Sequence, residues 1–98
     1  MKTEYHIIIK DFCETHQIEE AFVLRLHEYD VIDLAIVKDQ YMISDEQLPK
    51  LEQMVRLHRQ LFINVEGLSA VDHLLEKINT LQGELLWLKR KLDRFKES

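Results

Sequence analysis

The sequence predicts a mainly α-helical fold: a winged helix-turn-helix with a short N-terminal strand and a small hairpin, followed by a long C-terminal helix of the coiled-coil type. Two observations predict this fold class. The 98 residues include only two Gly and one Pro, so the chain has little of the turn punctuation that sheets need. Near its end, large apolar residues recur at alternating spacings of three and four residues, which is the coiled-coil period.

The first third of the chain predicts one strand and two short helices. Residues 4–9 form a β-branched, aromatic run of strand length. A first helix is expected over residues 10–16, with Phe12 and Cys13 facing inward, and a second over residues 19–29 after a tight turn. Two acids open the second helix and suit the positive end of its dipole. Its inner face is expected to carry four residues at helical spacing: Ile18, Phe22, Leu26 and Tyr29.

The middle of the chain predicts a wing and a third helix. Residues 31–43 are β-branched on both sides of a turn at 38–40, which favours a small hairpin even without Gly in the turn. Ser44 and Gln47 match a capping box, so the third helix is expected to begin there and to end near residue 61 or 62. Its inner stripe is expected to consist of Leu48, Leu51, Val55 and Phe62.

The last part of the chain carries a continuous apolar seam. Its residues are Val71, Leu74, Ile78, Leu81, Leu85, Leu88, Leu92 and Phe95. We expect residues 64–98 to form this long helix in the same structural domain as the helix-turn-helix of residues 1–63. Leaving the seam in water would forgo about 10–20 kcal/mol. It is therefore expected to pair with a second copy, giving a homodimer, or with a different protein. The alternative is that the helix folds back as a core element, since Leu75 and Leu86 widen its stripe.

Charge is distributed unevenly along the chain. Residues 1–35 contain three Lys or Arg against eight Asp or Glu, whereas residues 36–98 contain ten of each. The whole net charge of −5 therefore lies in the first third, which opposes binding to phosphates. Cys13 has no second cysteine to pair with, and no apolar run is long enough for a leader or a membrane span. We expect a cytoplasmic protein with no membrane contact.

Residues typical of catalysis do not form any recognisable pattern. The five histidines lie at least ten residues apart, and the two glycines are isolated, so neither a metal-ligand pair nor a phosphate-binding loop is evident. Cys13 beside Phe12 is interpreted as a small buried hydrophobic residue rather than a reactive thiol. The chain is thus predicted to be no enzyme and to need no cofactor or metal.

The second helix is the candidate binding element. In a helix-turn-helix it would enter the major groove of DNA, but it offers Arg25 against three glutamates. It suits a polypeptide with a basic surface better. The expected partner-binding residues are Glu19, Glu20, Val23, Leu24, His27 and Glu28. Two alternatives stay open: the wing simply covers Val23 and Leu24, or the basic cluster over residues 89–96 supports DNA binding.

The order of elements resembles a known family. Residues 9–20 and 29–32 resemble the MerR-like winged helix-turn-helix, and residues 55–61, 65–68 and 88–95 look like CbpM, a bacterial chaperone-modulator family. This resemblance implies an inhibitor that binds the J-domain of a CbpA/DnaJ-type co-chaperone and occludes the surface facing DnaK. It also implies restraint of the co-chaperone's association with DNA. The alternative is a MerR-type DNA-binding transcriptional regulator.

The chain departs from that family at the wing. Many relatives have Gly followed shortly by Pro where this chain has Asp30 and Leu34. A differently shaped wing is therefore one expectation, although Asp tolerates the left-handed backbone conformation better than most residues.

Overall fold

The chain folds into seven elements. The computed structural model describes residues 5–97 and the side chains of residues 7–96, so Glu4 of the expected first strand lies outside the described residues. The elements are β1 (Tyr5–Ile8), α1 (Ile9–His16), α2 (Glu20–Glu28), β2 (Ala35–Val37), β3 (Gln40–Ser44), α3 (Leu48–Leu61) and α4 (Val65–Glu97). This order confirms the predicted fold class: a winged helix-turn-helix and then a long helix.

The turn between α1 and α2 forms as expected. Gln17 adopts a left-handed conformation at the end of α1, with φ of 52°, and the backbone N–H of Ile18 donates to the carbonyl of Cys13 at 3.0 Å. Phe12 and Cys13 are buried, as predicted. Asp30 follows α2 with φ of 61°, a left-handed conformation that Asp tolerates better than most residues.

The wing is a hairpin within a three-stranded antiparallel sheet of order β1-β3-β2. Val37 pairs with Gln40, so the loop contains two residues, Lys38 and Asp39. Their φ values of 52° and 65° are both positive, as a type I′ turn requires. The predicted hairpin is therefore confirmed, and its turn is made without glycine.

Helix α3 begins later than the capping box predicted. Ser44 ends β3, and its hydroxyl accepts from the backbone N–H of Gln47 at 3.3 Å, but the helix starts at Leu48. The side chain of Gln47 pairs with the loop after α2 instead, donating to Asp33 Oδ2 at 2.9 Å. This later start puts Pro49 in the first turn, where its missing N–H costs nothing.

Two residues expected on inner faces are exposed. Phe62 is 88% exposed, because α3 ends at Leu61 and Phe62 itself is left-handed, with φ of 56°, which turns it away from the stripe. Tyr29 lies just beyond the end of α2, and its hydroxyl points to α4. The other residues of the two predicted stripes are buried or pack at the edge of the core: Ile18, Phe22, Leu26, Leu48, Leu51 and Val55.

Helix α4 leaves the compact part of the molecule after about two turns. Asn64 caps it, since its Oδ1 accepts from the N–H of Gly67 at 2.8 Å. Val65 and Leu68 are in the core, and the buried Asp72 accepts from Lys50 Nζ of α3 at 2.8 Å. From residue 76 to residue 96 every side chain is exposed, which accounts for a longest dimension of 60 Å.

Candidate partner-binding surfaces

The orientation of α2 is set by which of its apolar residues reach the core. Val23 and Leu26 are fully buried, three residues apart on one face. Phe22 lies at the margin, where its ring stacks on His58 with centroids 4.4 Å apart. The prediction that Val23 faces outward was wrong. On a helix that is apolar nearly all round, the compact β-branched side chain fits the centre, and the larger phenyl ring fits the edge.

The outward side of α2 carries a stripe of acids around one leucine. Glu20, Leu24 and Glu28 are spaced by four residues, so they lie on one helix face. Both glutamates are exposed, and Leu24 is half-buried. Glu19 is also exposed, directly before the helix. We call Glu19, Glu20, Leu24, His27 and Glu28 the front surface.

His27 is only partly available on the front surface. Its Nδ1 lies 3.1 Å from the carbonyl oxygen of Ile32, and the ring is half-buried. A carbonyl can only accept, so Nδ1 carries the proton of that contact and Nε2 is left as the acceptor nitrogen of the ring. His27 thus fixes the loop after α2, and its second ring nitrogen remains for a partner.

A cleft of about 310 Å³ lies between α2 and the wing. Glu20 and Leu24 line it from α2, and Asp39, Gln40 and Tyr41 line it from the hairpin. The remaining lining residues are Ile8, Ile9 and Lys10. Sequence patterns could not predict this cleft, because its walls are up to about thirty residues apart in the chain and carry no shared motif. Leu24 is half-buried beside this cleft, and Glu20 is exposed.

The electrostatic influence of Glu20 extends behind the front surface. Burial and, as a smaller cause, the negative charge of Glu20 together raise the pKa of the Cys13 thiol to about 11. Cys13 is a buried free cysteine, which confirms its interpretation as a core residue. Among the residues that the structure describes, no group of three or more His, Cys, Asp or Glu side chains is placed to hold a metal ion.

The seam on α4 is the second surface. Val71 is half-buried against the rest of the chain, and every later seam residue is exposed, Leu85 to 69%. The exposed seam residues are Leu74, Ile78, Leu81, Leu85, Leu88, Leu92 and Phe95. The helix does not fold back within its own chain, so that alternative was wrong for the single protomer. The seam from Leu74 to Phe95 remains open along about six turns of helix.

Trp87 lies on α4 outside the seam. It is 57% exposed, and Lys91 Nζ lies over its ring, 4.4 Å from the centroid. The basic cluster Lys89, Arg90, Lys91, Arg94 and Lys96 follows it along the helix and is entirely exposed. In the described part of the chain, no helix is both long enough and apolar enough to cross a membrane.

A helix-turn-helix with a two-residue wing turn and a long terminal helix defines the class of the protein. The model of the family described as MerR HTH family regulatory protein matches residues 7–90, and the chain belongs to this family. No solved structure matched the chain significantly.

Within the family, the chain is similar to curated chaperone modulators. The chaperone modulatory protein CbpM of Pseudomonas entomophila strain L48 is 25% identical over 88 residues, which cover 89% of this chain and 87% of the relative. CbpM of Pseudomonas putida strain W619 is also 25% identical over the same shares. CbpM of P. putida strain KT2440 is 24% identical, again with 89% and 87% covered. The chain is a CbpM-like member of the MerR family, and its relatives carry names of modulators rather than of enzymes.

Proposed function

We propose that this protein is a non-enzymatic chaperone modulator that binds the J-domain of a CbpA/DnaJ-type co-chaperone. It inhibits the co-chaperone by occluding the surface that faces DnaK. The name of its relatives supports a chaperone-modulating role. The observation that carries the proposal is the front surface, where a helix of groove-reading position presents Glu20, Leu24 and Glu28. A J-domain offers DnaK a basic helix, and these acids complement it.

The front surface also argues against DNA as the main ligand. Most affinity for duplex DNA comes from Lys and Arg neutralising phosphates. The groove-facing stripe of α2 has carboxylates instead, and its one arginine, Arg25, is held by Glu66. A MerR-type transcriptional regulator is the second candidate, favoured by the family match and by the exposed basic cluster of α4. An electrophoretic shift on the protein's own promoter that survives about 150 mM salt would support it.

Calorimetry with a purified J-domain tests the first proposal. Reversal of two front-surface charges, Glu20→Lys with Glu28→Lys, is expected to weaken binding at least tenfold. Glu46→Lys together with Glu52→Lys makes the same charge change on exposed residues outside the front surface and is the matched control. Wild-type protein should also suppress the stimulation of DnaK ATPase by that J-domain. Equal affinities of the two double variants would reject the front surface as the binding site.

We further propose that the seam pairs two copies into a homodimer, working in the cytoplasm. Seven large apolar side chains are exposed on one helix. Their burial in an interface would contribute about 10–20 kcal/mol of favourable free energy. Light scattering should give twice the mass of 11.8 kDa for the wild type. Replacement of two seam residues, Leu81→Lys with Leu88→Lys, should give the monomer mass. A monomeric wild-type protein at micromolar concentration would leave the seam to a different protein.

A further inference from the structure

The cleft beside α2 combines an apolar floor with carboxylates on opposite walls. Ile8 and Leu24 supply half-buried aliphatic surface. Glu20 stands on the helical wall, and Asp39 stands at the tip of the wing. Both are exposed, and no described Lys or Arg forms an ion pair with either of them, since the described ion pairs are Arg25–Glu66 and Lys50–Asp72. The cleft is therefore amphipathic and its acids are available.

The size of the cleft limits what can occupy it. About 310 Å³ is at the lower end of the roughly 300–1,000 Å³ typical of small-molecule sites, and this cleft is open at one side. A divalent cation would need more oxygen ligands and would meet Lys10 in the lining. A single long side chain with an aliphatic stem and a cationic head matches both the floor and the walls.

We propose that this cleft receives an arginine side chain of the partner; the inference rests on the proposed function. The methylene stem lies on Leu24 and Ile8, and the guanidinium reaches the carboxylates of Glu20 and Asp39. Arginine fits better than lysine because its planar fork donates to two acceptors at once. Tyr41, 41% exposed in the cleft wall, adds an aromatic face on which a guanidinium stacks well.

Lys10 provides a test in which a substitution is expected to strengthen binding, whereas a substitution that only damaged the structure would weaken it. Lys10 lines the same cleft, so its positive charge opposes an incoming cation. Removing it with Lys10→Gln should strengthen binding, whereas removing a carboxylate with Glu20→Gln or Asp39→Asn should weaken it. Asn also tolerates the left-handed backbone at position 39, so the turn is retained in that variant.

The test is calorimetry of full-length variants against the J-domain of a CbpA-type co-chaperone. Glu20→Gln and Asp39→Asn are each expected to weaken binding about fivefold, and Lys10→Gln to strengthen it about twofold to fivefold. Glu46→Gln, an exposed acid outside the cleft, should change nothing. Thermal melts of each variant establish that the fold is intact.

A second arm identifies the occupant by changing the partner. Each arginine of the J-domain is replaced in turn by lysine and by alanine, and each lysine is replaced by alanine. Replacement of one particular arginine should weaken binding to the wild type about tenfold. The same replacement should weaken binding to the Glu20→Gln, Asp39→Asn double variant only slightly, because that variant has already lost the contact.

The outcomes separate the two proposals. If the wild type binds the J-domain but the cleft variants behave like Glu46→Gln, or if no arginine couples to the cleft, the arginine assignment is wrong and the proposed function stands. Coupling to a lysine instead would also overturn it. If the wild type does not bind the J-domain at all, the proposed function fails, and this assignment fails with it.

Discussion

The hydroxyl of Tyr29 donates to Oε1 of Glu66 at 3.0 Å, and this contact joins the end of α2 to the first turn of α4. Arg25 of α2 donates to the same oxygen. The carboxylate of Glu66 also accepts from its own backbone N–H at the positive end of α4. Glu66 thus joins the end of α2 to the first turn of α4, alongside the buried Val65 and Leu68 and the Lys50–Asp72 ion pair.

Stability should depend on the ionisation of Glu66. Its own backbone N–H, then Tyr29 and Arg25, lower the pKa of this carboxyl below its ordinary value of 4.5. The contribution is therefore present above pH 4.5 and is lost as the pH falls through the lower, folded-state pKa. We expect Glu66→Gln to lower the melting temperature slightly at pH 7, with the difference vanishing in acid.

The measurement is a series of thermal melts between pH 3 and pH 7, with Glu76→Gln on the exposed part of α4 as control. The same difference in melting temperature between the wild type and Glu66→Gln at every pH would contradict a role for the charge of Glu66. Tyr29→Phe should show a smaller change of the same sign.

The two glycines of α4 predict opposite effects of the same substitution. A Cβ at Gly67 would lie 2.7 Å from Ile63 Cγ2 and 3.1 Å from the capping Asn64 Oδ1. Since Ile63 is β-branched and packs on the core, it cannot easily yield. Gly67→Ala should reduce the free energy of unfolding by about 1–3 kcal/mol.

Gly83 is the matched control, because a Cβ there meets nothing within 4 Å. Gly83→Ala should raise the free energy of unfolding by about 0.5–1 kcal/mol through helix propensity alone. Urea denaturation followed by circular dichroism measures both. The packing argument would be wrong if the two variants moved in the same direction.

The thiol of Cys13 should be unreactive in the folded protein. It is buried, and its pKa is raised to about 11, so little thiolate exists near pH 8. Labelling by iodoacetamide should be far slower in buffer than in urea. Because the folded state holds its proton to higher pH than the unfolded state, stability should fall as the pH rises from 9 to 11.

Comparison with Cys13→Ala isolates this alkaline effect, since lysines and tyrosines titrate equally in both proteins. The urea midpoint of the wild type should fall more steeply than that of the variant between pH 9 and 11. Parallel declines would remove Cys13 from the explanation.

The wing turn contains a residue that is unfavourable in the backbone conformation found there. Lys38 has φ of 52°, where asparagine is more comfortable than lysine. Lys38→Asn should stabilise the protein by about 0.5 kcal/mol. Lys38→Gln removes the same charge without that tolerance and should not stabilise it. Equal stability of the two variants would attribute any gain to charge rather than to the turn.

Sequence reasoning predicted most of the fold because its strongest signals are local. The heptad spacing from Val71 to Phe95 identified α4, and the acids at Glu19 and Glu20 identified the start of α2. It failed where tertiary packing decides. Periodicity could not choose the inner face of a helix that is apolar nearly all round, so Val23 was misplaced.

The candidate site was predictable only on its helical side. Glu20 and Leu24 were expected at the surface from their positions on α2. Asp39 and Tyr41 were not, because their place beside α2 depends on how β3 pairs with β1 and carries the hairpin across the domain. Such proximity between distant segments leaves no spacing signal in one sequence.

Trp87 provides a fluorescent probe of the exposed part of α4. It is the only tryptophan of the chain, and it stands on a stretch of helix, residues 76–96, whose side chains are all exposed. Helices without tertiary support are only marginally stable in water. The fluorescence of Trp87 should therefore change when the exposed part of α4 pairs with a partner or loses its helical structure. Tyrosine signals follow the compact part instead. Tryptophan and tyrosine fluorescence, both measured during dilution, would therefore distinguish dissociation of the assembly from unfolding of the compact part.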